Sequence, residues 1–221
     1  MRVVEIFTSI EGEGTRAGYP CVFVRFAGCN LQCSYCDTSY AQTCDCEHTE
    51  MTIDEIAKKV IESGFDKVTL TGGEPLMQEG IYELISALTQ AKIYVNVETN
   101  GSFEVRWIDT VENQTNLKYL MFTVDYKCPS SGMSEYMNPY AIKFLEQRDA
   151  LKFVVGSRED MEDALRVLNV YKPKCQVFFS PVFGSIEPCE IVEFLKEHFL
   201  NNCRVQLQLH KFIWDPEKRG V

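Results

Sequence analysis

The sequence predicts an α/β fold, a partial, open (β/α)6-type barrel in which six or seven parallel strands curl without closing. Two observations predict it: short apolar runs alternate with amphipathic helical stretches, and polar, glycine-bearing turns follow the apolar runs. Such turns stand at the carboxyl ends of strands, where α/β folds bind their ligands. No repeat, low-complexity tract or linker interrupts residues 1–221, so a single domain is predicted.

Hydrophobic periodicity predicts the individual elements. Strands are predicted from β-branched and aromatic runs at 21–26, 67–70, 93–97, 119–124, 151–155, 176–180 and 204–210. Helices are predicted from amphipathic stretches at 51–64, 79–91, 158–171 and 191–200. Thr52 and Glu55 have the spacing of a capping box, and Gly64 marks the end of the first helix. Residues 5–20 and 27–50 are predicted as polar loops on either side of the first strand.

Composition restricts the classes of function. The chain has 22 Lys and Arg against 32 Asp and Glu, and this net charge of −10 argues against nucleic-acid binding, which needs clustered basic residues. No apolar run approaches the roughly 18–20 residues of a membrane span. The first residues carry one Arg and then acids, unlike a signal peptide. We therefore expect a cytoplasmic protein, in which ten cysteines indicate metal or redox chemistry more than disulfides.

The central motif is C-x3-C-x2-C, formed by Cys29, Cys33 and Cys36 directly after the strand predicted at 21–26. Three thiolates this close in sequence can converge on one centre. They leave one coordination position open, which suits an iron–sulfur cluster whose remaining iron binds a cofactor.

Two alternatives for the cysteine motif stay open on the residues alone. A structural zinc site needs four ligands, and Cys44, Cys46 or His48 can supply the fourth. Chance clustering without any metal is the other alternative. Isolated cysteines are usually small buried apolar residues, and five are scattered in this way: Cys21, Cys128, Cys175, Cys189 and Cys203.

Two turns after predicted strands are candidate ligand contacts. The segment 71–75, TGGEP, has glycines that expose backbone groups to a ligand, although a Gly-Gly turn into a helix is also common without function. The segment 98–101, ETNG, places the Glu98 carboxylate where it can accept hydrogen bonds from ribose hydroxyls. A capped turn explains this second segment equally well.

Substrate contacts are predicted from charged residues near these turns. Carboxylates in 5–14 can pair with the amino and ring N–H donors of a heterocycle. Arg25 lies inside an apolar run, where a buried guanidinium needs a partner, and it can clamp a carboxylate. A surface ion pair is the alternative for Arg25. His210 is expected to end the last strand, beside Lys211, at the rim of the site.

The cysteine spacing, with Tyr35 before the third cysteine and the GGEP segment downstream, resembles the radical S-adenosylmethionine (SAM) superfamily. The resemblance implies the radical SAM barrel and a [4Fe–4S] cluster held by the three cysteines. It also implies that SAM binds the open iron and that reductive cleavage yields a 5′-deoxyadenosyl radical. The residues that the resemblance assigns to SAM are Tyr35, Cys36, Asp37, Gly72, Gly73, Glu74, Glu98, Lys127 and Ser130.

The opening EIFxSIxGEG and the segment RFAGCNLxCxxCDT resemble the 7-carboxy-7-deazaguanine synthase family over nearly the whole chain. The resemblance implies conversion of 6-carboxy-5,6,7,8-tetrahydropterin to 7-carboxy-7-deazaguanine with loss of ammonia, in queuosine and 7-deazapurine biosynthesis. It implies Mg²⁺ with Thr38 as a ligand, an electron donor such as a flavodoxin, and a homodimer. No residue is assigned as a strong acid or base; the substrate contacts are Ile10, Glu11, Gly12, Arg25, Thr71 and His210.

One residue departs from the family pattern. Members often carry Gln where this chain has Glu11, which leaves the polarity of that substrate contact open. Two rival functions are weighed against the synthase. A glycyl-radical-enzyme activase shares the cysteine motif and GGEP but acts on a protein backbone. A non-catalytic iron–sulfur or zinc protein is the other rival, and the TGGEP segment argues against it.

Overall fold

The computed structural model describes residues 1–103 and 116–221. Its strands are β1 (Arg2–Ile10), β2 (Pro20–Phe26), β3 (Thr49–Glu50), β4 (Lys67–Gly72), β5 (Tyr94–Thr99), β6 (Leu120–Lys127), β7 (Ala150–Val155), β8 (Gln176–Pro181) and β9 (Cys203–Val205). Its α-helices are α1 (Ile53–Glu62), α2 (Ile81–Gln90), α3 (Arg158–Tyr171), α4 (Pro188–Glu197) and α5 (His210–Ile213).

These strands form one nine-stranded sheet in the order β3-β1-β2-β4-β5-β6-β7-β8-β9. Every neighbouring pair from β2 to β9 is parallel, and β1 pairs antiparallel with β2 and β3. Because β3 and β9 are edge strands, the sheet stays open. The predicted α/β partial barrel is confirmed, and the parallel strands bring their carboxyl ends to one side of the sheet.

Apolar strands and helix faces pack into one core. Phe26, Leu70, Phe153 and Phe179 on four different strands are fully buried. Burial of such side chains contributes roughly 1.5–3 kcal/mol each to stability. Helix α1 begins with the predicted capping box: the Glu55 N–H donates to Thr52 Oγ1, and the Thr52 N–H donates to Glu55 Oε2. The start of helix α1 is therefore fixed by its own side chains.

The predicted loop at 5–20 is partly wrong, because residues 2–10 form β1. Polar residues such as Glu5, Thr8 and Ser9 interrupt the apolar pattern that signals a strand. Antiparallel pairing with β2, from Val3 opposite Phe26 to Ile10 opposite Pro20, supplies the backbone hydrogen bonds instead. The N-terminal loop therefore begins at residue 11, after a strand that fixes its position.

The predicted strand at 204–210 is also wrong beyond Val205. The Gln206 N–H still donates to the carbonyl of Phe179, but the chain then leaves the sheet. The Leu209 N–H donates to the carbonyl of Gly12, and His210 begins helix α5 instead of ending a strand. Contacts with the N-terminal loop thus redirect this segment.

Among the helices of the described residues, none combines the length and apolar character that a membrane span requires.

Candidate active site

One cavity of about 700 Å³ opens at the carboxyl ends of the parallel strands. Most of the predicted site residues line this cavity: Ile10, Glu11, Gly12, Arg25, Cys29, Cys33, Tyr35, Cys36, Asp37, Thr38, Thr71, Gly72, Gly73, Glu98, Lys127 and His210. Two predicted residues, Glu74 and Ser130, lie behind its wall. The fold therefore brings residues from both ends of the chain and from four strand ends into one cavity.

The cysteine loop is fastened to the TGGEP turn by backbone contacts. The Gly73 N–H donates to the carbonyl of Phe26, and the Glu74 N–H donates to the carbonyl of Gly28. A Cβ at position 73 would lie 2.0 Å from the Gly28 carbonyl oxygen, so only glycine fits there. Gly72 has φ +129°, and a Cβ there would lie 2.3 Å from the Phe26 backbone. These glycines allow the TGGEP turn and the cysteine loop to make close backbone contact.

The thiols of Cys29, Cys33 and Cys36 face the cavity, and all three cysteines are unpaired. Burial raises the pKa of Cys33 to about 11 and raises that of Cys29. Cys29 Sγ accepts hydrogen bonds from the Leu31 N–H at 3.4 Å and from Asn100 Nδ2 at 3.6 Å. Such donors stabilise a thiolate once a metal replaces its proton.

This arrangement fits an iron–sulfur cluster better than a single ion. Among residues 1–103 and 116–221, no three acidic, histidine or cysteine side chains are arranged to hold one metal ion. A four-iron cluster binds each thiolate through a different iron, so its ligands stand further apart. His48, from the zinc alternative, places Nδ1 at 2.6 Å from the Cys46 carbonyl and Nε2 at 3.6 Å from Glu50.

Glu74 is a buried residue behind the cavity lining. Its buried carboxylate accepts hydrogen bonds from the Leu76 N–H, the Asn100 N–H and the Thr99 hydroxyl. Burial nevertheless raises the pKa of Glu74 to about 7. Because Asn100 in turn contacts Cys29, Glu74 ties the TGGEP and ETNG turns to the cysteine loop. Glu74 is not part of the described cavity lining, and its predicted contact with SAM stays a prediction.

Ser130 is likewise engaged by the protein. Its N–H donates to Asp160 Oδ1 at 2.8 Å, and its hydroxyl donates to the same fully buried carboxylate. Ser34 in the cysteine loop donates to the carbonyl of Ser130 at 2.6 Å. Ser130 therefore connects helix α3 to the cysteine loop, and it is not part of the described cavity lining.

A network of buried charges forms the inner wall of the cavity. Lys152 Nζ lies 3.0 Å from Glu13 Oε2 and 3.6 Å from Asp125 Oδ2, and Lys127 Nζ lies 2.8 Å from the same Asp125 oxygen. Ser180 donates a further hydrogen bond to Glu13. Although burial opposes ionisation, Lys152 and Ser180 hold the pKa of Glu13 below its ordinary value. Glu13 is therefore a carboxylate at neutral pH.

Glu98 behaves differently from Glu13. Burial raises the pKa of Glu98 to about 7, against the opposing effect of Lys152. Thr71 donates to Glu98 Oε2 at 3.0 Å. Within the described residues, this is the one protein hydrogen bond that the Glu98 carboxyl group receives. Glu98 can therefore both donate and accept toward a ligand near pH 7.

Arg25 is a partly buried member of an ion pair. Its Nε donates to Glu5 Oε1 at 2.7 Å, and the Tyr40 hydroxyl donates to the same oxygen at 2.8 Å. The guanidinium also stands over the rings of Phe7 and Tyr40. The pairing uses the Nε side, so the two terminal nitrogens of Arg25 are available to the cavity that it lines.

Glu11 is buried, with only 1% of its surface exposed, and it is paired with Arg16. Its Oε1 accepts hydrogen bonds from Arg16 and from the Thr69 hydroxyl. Arg16 also donates to the carbonyls of Tyr94 and Val68. Loop 11–19 is thereby fixed to the amino ends of β4 and β5. Oε1 is thus engaged by the protein, while Glu11 also lines the cavity, and its predicted contact with the substrate stays a prediction.

Gly12 and His210 are in direct contact. A Cβ at position 12 would lie 2.1 Å from His210 Nδ1, so glycine is required. Burial lowers the pKa of His210 below its ordinary value, and the imidazole is neutral at pH 7. It lines the cavity from the first turn of α5.

Asp37 and Thr38 follow the third cysteine at the mouth of the cavity. Thr38 Oγ1 donates to Asp37 Oδ1 at 3.0 Å, and Lys211 Nζ lies 3.6 Å from Asp37 Oδ2. Because the Thr38 hydroxyl gives its proton to a carboxylate, its lone pairs are available to a hard cation. Tyr35, three residues before Thr38, donates its hydroxyl hydrogen to the carbonyl of Val154 at 3.3 Å.

Several lining residues were missed by the sequence reasoning, among them Tyr40, Asn100, Asp125 and Lys152. Lys152 had a usable signal, because it lies within an apolar strand just as Arg25 does. Asn100 belongs to the ETNG turn, from which only Glu98 was chosen. Tyr40 and Asp125 carry no local signal, since their roles depend on residues that are distant in sequence.

The fold and the cysteine loop define a radical SAM enzyme, and residues 23–197 match the Radical SAM superfamily. A 7-carboxy-7-deazaguanine synthase of Clostridium acetobutylicum is 46% identical over 224 residues, which cover 100% of this chain and 99% of the relative. A second, from Chlorobaculum tepidum, is 40% identical over 100% of this chain and 97% of the relative. The chain belongs to the 7-carboxy-7-deazaguanine synthase family.

A solved structure shows the same fold. The crystal structure of QueE from Escherichia coli matches with a TM-score of 0.71 over 94% of this chain and 93% of that chain. Its sequence is 19% identical. The shared architecture at this low identity confirms the predicted open barrel.

Proposed function

We propose that this protein converts 6-carboxy-5,6,7,8-tetrahydropterin to 7-carboxy-7-deazaguanine with release of ammonia. One observation carries the proposal: a single cavity joins the cysteine loop to Arg25, Glu13 and Glu98. Its volume of about 700 Å³ lies in the range of small-molecule sites. The names of the full-length relatives support the same reaction.

In this proposal Cys29, Cys33 and Cys36 hold a [4Fe–4S] cluster, and the superfamily supports SAM as its ligand. When bound, the cluster and SAM supply a 5′-deoxyadenosyl radical. SAM is proposed to lie along the lining residues predicted for it, which are Tyr35, Asp37, Gly72, Gly73, Glu98 and Lys127. Glu74 and Ser130 act from behind the wall, and support these contacts through Asn100 and the cysteine loop.

The remaining lining residues suit a carboxylated heterocycle. Glu13 is held ionised by Lys152 and can accept hydrogen bonds from amino and ring N–H groups. Arg25 presents its terminal nitrogens to a carboxylate. Neutral His210 and loop 11–19 close one side of the cavity. Positioning of the substrate against the radical source is the main contribution of these residues.

The glycyl-radical-enzyme activase is the alternative function. It would bring a protein backbone to the cysteine loop, whereas this cavity is bordered by residues 10–13 and by residues 216–221. Buried, paired charges such as Glu13 and Lys152 suit a compact polar ligand better than a polypeptide. The site therefore favours the pterin.

The test is anaerobic turnover of reconstituted protein with 6-carboxytetrahydropterin, SAM and dithionite. We expect SAM-dependent formation of 7-carboxy-7-deazaguanine and ammonia, measured by product absorbance and mass spectrometry. Reconstituted protein without SAM is the control. Cleavage of SAM without a deazaguanine product would contradict the substrate, and failure to cleave SAM at all would contradict the enzyme class.

Thr38→Ala tests the proposed role of Thr38 as a ligand of Mg²⁺. The Thr38 hydroxyl lies at the cavity mouth beside Asp37, so its loss removes one oxygen ligand without touching a cysteine. We expect the variant to need about tenfold more Mg²⁺ for half-maximal turnover, in line with the loss of one metal contact. Iron content should stay unchanged.

Thr38→Ser is the matched control, because it keeps the hydroxyl, and it should retain most of the Mg²⁺ response. A Thr38→Ala variant that lost its iron instead would show that Thr38 supports the cysteine loop and is not a Mg²⁺ ligand.

The family resemblance is also the support for a one-electron donor such as a flavodoxin and for a homodimer. Reduced flavodoxin in place of dithionite, in the same turnover assay, tests the donor. Sedimentation equilibrium of the reconstituted protein tests the dimer.

A further inference from the structure

Tyr40 packs against two guanidinium groups at the cavity wall. Arg219 Cζ lies 3.8 Å from the centroid of the Tyr40 ring, and Arg25 Cζ lies 5.8 Å from the same centroid. Both arginines and Tyr40 line the cavity. A guanidinium that packs on an aromatic face keeps its N–H donors for a ligand at its edge. The N–H donors of Arg25 and Arg219 therefore both lie near the Tyr40 ring.

The two arginines differ in their charge balance. Arg25 is paired with Glu5 at 2.7 Å, so this pair offers hydrogen bonds but no net positive charge. No carboxylate of residues 1–103 or 116–221 lies within ion-pair distance of Arg219. Arg219 therefore adds one positive charge that the protein does not neutralise. Arg219 is an exposed residue of the cavity lining, and an anionic group that contacts both arginines would pair with it.

The charge pairs in the rest of the cavity wall restrict the charge of the anionic group that can bind here. Glu13 is paired with Lys152, and Asp37 is paired with Lys211. Among the described residues, Arg219 is therefore a cavity-lining guanidinium without an ion pair, next to the paired Arg25. A monoanion of the size of a carboxylate, carried on the ligand that reaches Arg25, balances this charge.

We propose that Arg219 is a second carboxylate-binding residue, which acts with Arg25 and selects substrates that carry the carboxyl group. This inference rests on the proposed function, because it assigns Arg219 to the carboxylate of the pterin. Tyr40 orients both guanidinium groups, through its ring face and through its hydrogen bond to Glu5. The specificity for a carboxylated ring then comes from Arg219, near the C-terminus, as well as from Arg25 on β2.

The test compares binding of two ligands to cluster-loaded protein without reductant, so that no turnover occurs. The ligands are 6-carboxytetrahydropterin and 6-methyltetrahydropterin, and the readout is the ratio of their dissociation constants by anaerobic calorimetry. In Arg219→Gln we expect the preference for the carboxylated ligand to fall about tenfold, as loss of one charge-assisted contact predicts. Arg219→Lys keeps the charge but loses the planar fork, and should lie between Gln and the wild type.

Arg158→Gln is the matched control. Arg158 is also an exposed arginine over an aromatic ring, 5.5 Å from the Phe194 centroid, but it lies outside the cavity lining. It should keep the wild-type ratio. A wild-type ratio in both Arg219 variants would overturn the role of Arg219 while leaving the proposed function intact. A wild-type protein that binds neither pterin would overturn the proposed function, and with it this inference.

Discussion

Cys33→Ala is expected to abolish cluster assembly and SAM cleavage. Cys33 lines the cavity with the other two cysteines of the motif, and the loop offers no replacement thiol inside the described lining. Two thiolates leave two irons of a four-iron cluster without protein ligands. We expect iron content and reductive SAM cleavage to fall to the level of protein that was never reconstituted. Iron analysis, electron paramagnetic resonance and 5′-deoxyadenosine formation measure this.

Cys46→Ala is the matched control, because Cys46 belongs to the same predicted loop but not to the cavity lining. It should retain both iron and SAM cleavage. Equal losses in Cys33→Ala and Cys46→Ala would mean that the loop holds a metal through a different ligand set, such as the zinc site weighed from the sequence.

Arg16→Met is expected to destabilise the fold by about 3–5 kcal/mol, the usual effect of leaving one partner of a buried ion pair uncompensated. Glu11 is buried, and Arg16 is its one cationic partner among the described residues. The carbonyls of Val68 and Tyr94 also lose their donor. Urea denaturation of the cluster-free protein measures the loss of unfolding free energy.

The double variant Arg16→Met/Glu11→Gln should recover part of this loss, because no buried charge then lacks a partner. Arg158→Met, which removes an exposed arginine from helix α3, should leave the free energy of unfolding nearly unchanged. If Arg16→Met were as stable as the Arg158 variant, the pair would not hold loop 11–19 in place.

Glu11→Gln alone separates a structural role from a substrate contact. Arg16 and Thr69 both donate to Oε1, and a glutamine oxygen can accept both hydrogen bonds. Arg16 therefore supplies the counter-charge of this buried Glu. We expect a small change in KM for the pterin. A large increase in KM with unchanged stability would instead restore Glu11 as a substrate ligand.

Much of the fold was predictable because its signals are local. Helix α3 has the bounds 158–171 that periodicity predicted, and helix α1 has the predicted capping box. The strands β2, β4, β7 and β8 include the whole of their predicted runs, and β5 and β6 begin one residue later than predicted. In each case, side chains within one element decide its structure. The predictions at β1 and at 206–210 were wrong because residues distant in sequence determine the structure there. Pairing with β2 makes residues 2–10 a strand, and contact with Gly12 takes residues 206–210 out of the sheet.

The cysteine spacing, the glycine turns and the order of strands and helices are properties of the sequence by itself. They specify the cofactor chemistry and the open barrel, because ligand spacing and hydrophobic period act over a few residues. Only the tertiary structure decided which charges meet. It paired Arg25 with Glu5, Glu11 with Arg16 and Lys152 with Glu13, and it placed Arg219 against Tyr40. Long-range packing selects these partners, since a buried charge is stable only where the fold brings it a counter-charge.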